Sequence, residues 1–145
     1  MPAQFLENNK IVRVSNSTSA GTSDVTTSVV DMTGYDEVTF VVHLGTVVDA
    51  AVITLTTKMN TANSTSGATT ITNGASTALT ASTSSNLDIA VNVAKPTQRY
   101  VFAVLTRATQ NVTVQCIDAI LSKATGVPVT QGSTMGRTKI AVCGN

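Results

Sequence analysis

A chain of 145 residues is long enough for one domain with a real core and short for two. Hydrophobic residues make up 42%, enough to support a globular fold, while the charged share of 12% is about half the usual level and argues against a freely solvated monomer. The net charge of +1 gives no electrostatic case for a nucleic-acid partner, and no apolar run approaches the ~18 residues of a membrane-crossing helix.

In chain order, residues 1–24 read as an extended N-terminal segment. "MPAQFLENNK" lacks the basic and apolar regions of a secretory signal. A short apolar patch, "KIVRV", follows, and "SNSTSAGTSD" has loop composition. "VTTSVVDM" (25–32) is rich in β-branched residues and predicts a strand, and "TGY" turns the chain. "DEVTFVVHLG" (36–45) predicts a strand with Val38, Phe40 and Val42 alternating with Thr39, Val41 and His43. "AAVITLTTKM" (50–59) predicts another, "NTANSTSG" a flexible loop, and "ATTITNG" a short strand that ends in an Asn-Gly turn. "ASTALTASTSS" reads equally as edge strand or loop. "NLDIAVNVA" (86–94) alternates cleanly, and Pro96 ends it. Residues 98–107 carry a run without polar groups, Val101 to Leu105, and predict a central strand with both faces covered. "NVTVQCIDAILSKA" (111–124) predicts a long strand that opens with Val112, Val114 and Cys116 in alternation. The tail, 125–145, is broken by Gly126, Pro128, Gly132 and Gly136, yet Val127, Val129, Ile140 and Val142 need burial somewhere.

Seven or eight short strands without helices predict an all-β protein, a β-sandwich of jelly-roll type over residues 25–124, with an N-terminal segment (1–24) and a C-terminal arm (125–145). Charge is unevenly placed. Residues 1–94 hold three basic and seven acidic side chains, whereas residues 95–145 hold six basic and one acidic. Chance in a small sample and a basic end that meets an acidic partner both account for this.

No catalytic set, cofactor motif or metal site is expected. His43 is the single histidine and sits in mid-strand without a ligand cluster near it in sequence. Asp36 and Glu37 are adjacent strand residues and point to opposite faces. No nucleophile elbow or phosphate-binding glycine motif occurs. Cys116 and Cys143 are expected to be reduced, since nothing marks an oxidising compartment. Three phenylalanines, two tyrosines and no tryptophan supply little for base stacking.

The segments "DMTGYDEVTFVVHLGTV", "ITLTTKMN" and "KPTQRYVFAVLTRATQNVTVQCIDAILSKATGVPVTQG" occur in that order. Together they resemble the capsid cement, or decoration, proteins of tailed double-stranded DNA bacteriophages. The resemblance rests on Gly34, Tyr35 and Asp36; on Pro96, Arg99, Tyr100 and Val101; on Thr106 and Arg107; and on Ile117, Ala119, Ile120, Leu121, Pro128, Gln131 and Gly132. It covers residues 31–132. The Ser/Thr-rich stretch 60–86 and the last thirteen residues match nothing in it.

The resemblance implies a structural protein of the virion, on the outer capsid surface, that bridges subunits of the major capsid protein. It implies no catalysis, nucleic acid or membrane. Low charge fits a homo-oligomer, a dimer rather than a trimer. The residues expected at its interfaces are Arg99, Arg107, Val127, Val129, Arg137, Lys139 and Ile140. Arg99 and Arg107 have a second reading, in which they solvate the ends of the central strand, and Tyr100 reads more simply as a core residue with its hydroxyl at the rim. The alternative function is a host-surface or carbohydrate-binding sandwich of a head or tail fibre, for which Tyr35 and Tyr100 are a poor supply of rings.

Overall fold

Strands follow the β-branched, alternating stretches of the chain. In the computed structural model, which describes residues 4–80, 82–139 and 141, they number ten among the described residues. They are β1 (Lys10–Ser15), β2 (Thr18–Gly21), β3 (Val25–Thr26), β4 (Val30–Asp31), β5 (Tyr35–Val47), β6 (Val52–Asn60), β7 (Thr69–Ala75), β8 (Asp88–Ala94), β9 (Tyr100–Ala108) and β10 (Val112–Ala124). A four-residue helix, α1 (Phe5–Asn8), precedes them.

The strands form two antiparallel sheets. One runs β1-β10-β5-β8, with β2 continuing the β1 edge. The other runs β3-β9-β6-β7, with β4 continuing the β3 edge. Counting each broken edge as one strand leaves eight. The first then pairs with the eighth, the second with the seventh, the third with the sixth and the fourth with the fifth. That is one long hairpin rolled into two sheets, the jelly-roll topology.

The core lies between the sheets. Val38, Phe40 and Val42 of β5 are fully buried, as the alternation predicts, and Ile53 and Leu55 of β6 face them with Val101, Ala103 and Leu105 of β9. Each of these valine, leucine, isoleucine and phenylalanine side chains contributes about 1.5–3 kcal/mol by leaving water. Strand β9 is covered on both faces: Phe102, on the side away from the core, is 1% exposed and lies in register with Lys58.

Four expectations change. Residues 1–24 are not simply an extended segment, because β1 and β2 are the edge of the first sheet and Val14 is in its core. The strand expected over 25–32 is two two-residue pieces, parted where the Thr27 hydroxyl accepts the Ala103 amide at 3.0 Å. Asn73-Gly74 is no hairpin turn but a bulge inside β7. There the Thr57 hydroxyl donates to the Gly74 carbonyl at 2.7 Å, so close that a Cβ on Gly74 would lie 2.2 Å from that oxygen. The 61–67 loop is organised by the buried Asn60, whose amide donates to the carbonyls of Ser64 and Ser66 at 2.7 and 2.9 Å.

Candidate functional site

Three stretches that are far apart in the chain, around Gly34, Pro96 and Thr125, meet at one end of the sandwich. Between β4 and β5 the chain turns through Gly34, whose φ of +85° suits a residue without a Cβ, and the Tyr35 amide donates to the Met32 carbonyl. Between β8 and β9 the Lys95 amide donates to the Asp36 carbonyl at 2.7 Å, which seats Pro96 to Arg99 opposite that turn. Where β10 ends, the Thr125 amide donates to the Gly34 carbonyl at 2.9 Å. The first two segments line an open groove of about 480 Å³. Met32, Tyr35 and Pro96 give it apolar surface. Asp36 and Lys95 give it two opposite charges, and Thr33, Thr97 and Gln98 add uncharged donors and acceptors. Burial raises the Tyr35 phenol above its ordinary value.

Arg99 borders this groove. Its guanidinium grips Asp31 in a two-pronged contact, Nε to Oδ1 at 2.9 Å and Nη2 to Oδ2 at 2.7 Å, and lies 5.1 Å over the Tyr100 ring. The Thr33 amide and hydroxyl also donate to Asp31. Arg99 and these hydrogen bonds hold the Asp31 carboxyl well below the usual carboxylate range. Asp36 and Glu37 are separated as expected, with Asp36 at the groove and Glu37 paired with Lys123.

Arg107 is a different matter. Contrary to the expectation of an interface position, it is 4% exposed and lies at the opposite end of the sandwich interior. Its Nε donates to the Ser23 carbonyl at 2.7 Å, and Nη1 to the carbonyls of Ser19 and Val112 at 2.9 and 2.7 Å. It ties β2, the loop after it and β10 to β9, and presents nothing to a partner.

The tail lies along its own chain. The Val129 amide donates to the Glu7 carbonyl at 2.8 Å. The Gln131 side chain accepts the Ile11 amide at 3.0 Å and donates to the carbonyls of Leu6 and Asn9 at 3.1 and 2.7 Å, while the Thr134 hydroxyl accepts the Arg13 amide. Two side chains thus occupy the outer hydrogen-bonding edge of β1 in place of a strand, one way to blunt a sheet edge. Val129 is half-buried. Val127, Arg137 and Lys139 are exposed, and Ile140 lies outside the described residues.

On the outer face of the first sheet, three neighbouring strands bring together residues that sequence reasoning kept apart. His43 of β5 is in register with Asp88 of β8 and Cys116 of β10. Its Nδ1 is 3.0 Å from Asp88 Oδ1 and its Nε2 is 3.4 Å from Asp118 Oδ2. Cys116 Sγ is 3.9 Å from that same oxygen. The other oxygen of Asp118 faces Arg13 of β1 at 3.9 Å. Cys116 has a free thiol, raised above its ordinary value chiefly by burial and further by Asp118, whereas Cys143 lies outside the described residues. Among the described residues, His43, Cys116 and Asp118 each offer one ligand-type atom within 4.8 Å of the others, close enough to hold a metal ion. The missed signal is a register slip. Val112 and Val114 face the core, the ladder is irregular between Val114 and Cys116, and Ile117 faces the core next. The bulge turns Cys116 outward, beside His43.

The fold and these sites define an eight-stranded jelly-roll protein with a polar groove at one end. No family model matches the sequence, and no curated protein matches it. Among the described residues, no helix is long and apolar enough to cross a membrane.

Proposed function

We propose that this is a structural virion protein that binds the outer surface of a tailed-phage capsid and cements neighbouring subunits of the major capsid protein, as a homo-oligomer. The observation that carries the reading is the meeting of three stretches within the region of resemblance: Gly34 to Asp36, Pro96 to Tyr100, and the chain leaving β10 at Thr125 build one end of the molecule. Val127, Arg137 and Lys139 continue from that end as exposed positions on the tail. On this reading the capsid contact is the groove and the tail together, and Arg107 has no part in it. A low charged share fits a subunit that covers much of its surface on assembly.

The test is decoration. Purified full-length chain is added to heads of its own phage that lack it, and bound copies per particle are counted by quantitative mass spectrometry. Saturable binding of hundreds of copies, with heads more resistant to heat, is the expected result. Replacing Arg137 and Lys139 together by serine should flatten the salt dependence of binding, because exposed charge contacts are screened by added ions. Absence of binding overturns the proposal. A few copies per particle, or retention on host cells or glycans, favours the fibre module instead. That module finds little support in the rings, since one face of Tyr100 is capped by Arg99.

A further inference from the structure

We propose that His43 Nε2, Cys116 Sγ and Asp118 Oδ2 form a three-ligand site for a divalent transition metal, of which zinc fits best, on the outer face of the first sheet. The inference is independent of the cement reading.

Three features carry it. First, the donors are already close to coordination geometry. Tetrahedral zinc with bonds of about 2.0–2.3 Å sets its nitrogen, oxygen and sulfur ligands about 3.3–3.6 Å apart. Here Nε2 to Oδ2 is 3.4 Å, Sγ to Oδ2 is 3.9 Å, and the three donor atoms lie within 4.8 Å of one another. Second, the histidine is oriented for the task. With Asp88 Oδ1 3.0 Å from Nδ1, a proton on that nitrogen turns the Nε2 lone pair toward Asp118, the tautomer that a metal would select. A lone pair and a carboxylate oxygen 3.4 Å apart are bridged by a proton or by a metal ion. A carboxylate behind a ligating imidazole is the usual outer partner of a zinc-bound histidine, and Arg13 beside Oδ1 gives Asp118 a similar support. A shared proton would satisfy the imidazole and carboxylate alone. The thiol on the same side adds the donor that a metal uses and a proton does not. Third, the site is reachable. The side chains of His43 and Asp118 are 34% and 25% exposed, so a water can complete a four-coordinate shell. The thiol proton leaves to solvent as the sulfur binds, since the thiolate is the ligand. The bound ion would staple β5 to β10 across their register.

The experiment is a cobalt titration of the reduced, metal-stripped full chain, read by absorbance. A thiolate-to-cobalt charge-transfer band with visible bands of tetrahedral intensity, saturating at one equivalent and displaced by zinc, is expected. Cys116→Ser should abolish the charge-transfer band, and Cys143→Ser should leave it. His43→Gln and Asp118→Asn should each weaken binding strongly, and Asp88→Asn by about 10–100-fold as an outer partner. As a measurement that needs no variant, zinc should shift the Nε2 resonance of His43 in the wild-type chain. The proposal is overturned if the reduced chain gives no charge-transfer band at metal excess, or if the His43 resonance does not move. A band that survives His43→Gln and Asp118→Asn unchanged, or disappears with Cys143→Ser, overturns it equally.

Discussion

Arg99 stands just ahead of β9 and Arg107 near its end, and the two ends of the molecule treat them in opposite ways. The Arg107 side chain shares the inward face with Val101, Ala103 and Leu105, so the strand carries its charge into the sandwich, where three backbone carbonyls receive it. The Arg99 side chain is 55% exposed and holds Asp31 at the surface beside the groove. One end is thus closed by an internal polar clamp. The other is assembled from loops and the tail, and keeps its charged groups in contact with solvent. The difference teaches that the same residue type, flanking the same apolar run, serves stability at one end and is available for recognition at the other. The two share strand parity, and what decides is that Arg107 lies within β9 whereas Arg99 precedes it in the loop from β8.

The comparison is most exposed at Arg107. Replacing it by alanine removes the donor to the buried Val112 carbonyl and to the part-buried carbonyls of Ser19 and Ser23, and should cost about 3 kcal/mol, read as a lower urea midpoint. Arg107→Lys should recover only part of this, because one ammonium cannot reach all three carbonyls in the fixed geometry of a guanidinium. A loss below about 1 kcal/mol in the alanine variant would mean that the end is not closed by this clamp.

An intermediate effect is expected where the tail covers β1. Gln131→Ala removes three hydrogen bonds and should cost about 1–2 kcal/mol, with faster hydrogen exchange at the Ile11 amide. Unchanged exchange there would show that the tail does not protect the edge in solution.

The smallest effect belongs to Arg99 and Asp31, an exposed pair of the kind that adds little to stability. Its sign is still testable by pH. Folding holds the Asp31 carboxyl below its ordinary value of 3.8, so its contribution is fully present above that value and fades as the pH falls further. The stability gap between wild type and Asp31→Asn should be small and constant near neutrality and shrink on acidification below about pH 4. A gap that grows on acidification would contradict the assignment.

Period-two alternation was sufficient to locate β5 and β8 and to name the core face of β5, because a strand half in water must show that pattern wherever it lies. The unbroken apolar run located β9, and in β10 the alternation held only as far as Val114. It failed at Asn73-Gly74, where a turn-forming dipeptide makes a bulge because Thr57 on the next strand approaches it. It failed again at β1, whose short apolar patch is too weak a local signal until β10 pairs with it. The groove was legible as two motifs but not as one place, since Asp36 and Lys95 meet only through the pairing of β5 with β8.

The sequence by itself determined that this chain is all-β, that its strands form a sandwich, and which face of β5 turns inward, because composition and alternation are local properties of the pleated backbone. Only the tertiary structure decided that Arg107 is sealed inside, that the tail caps β1 of its own chain, and that His43 stands among Asp88, Cys116 and Asp118. Those contacts join residues that are distant in the chain, and the last of them depends on a one-residue slip in β10 that turns a side chain from one face of the sheet to the other.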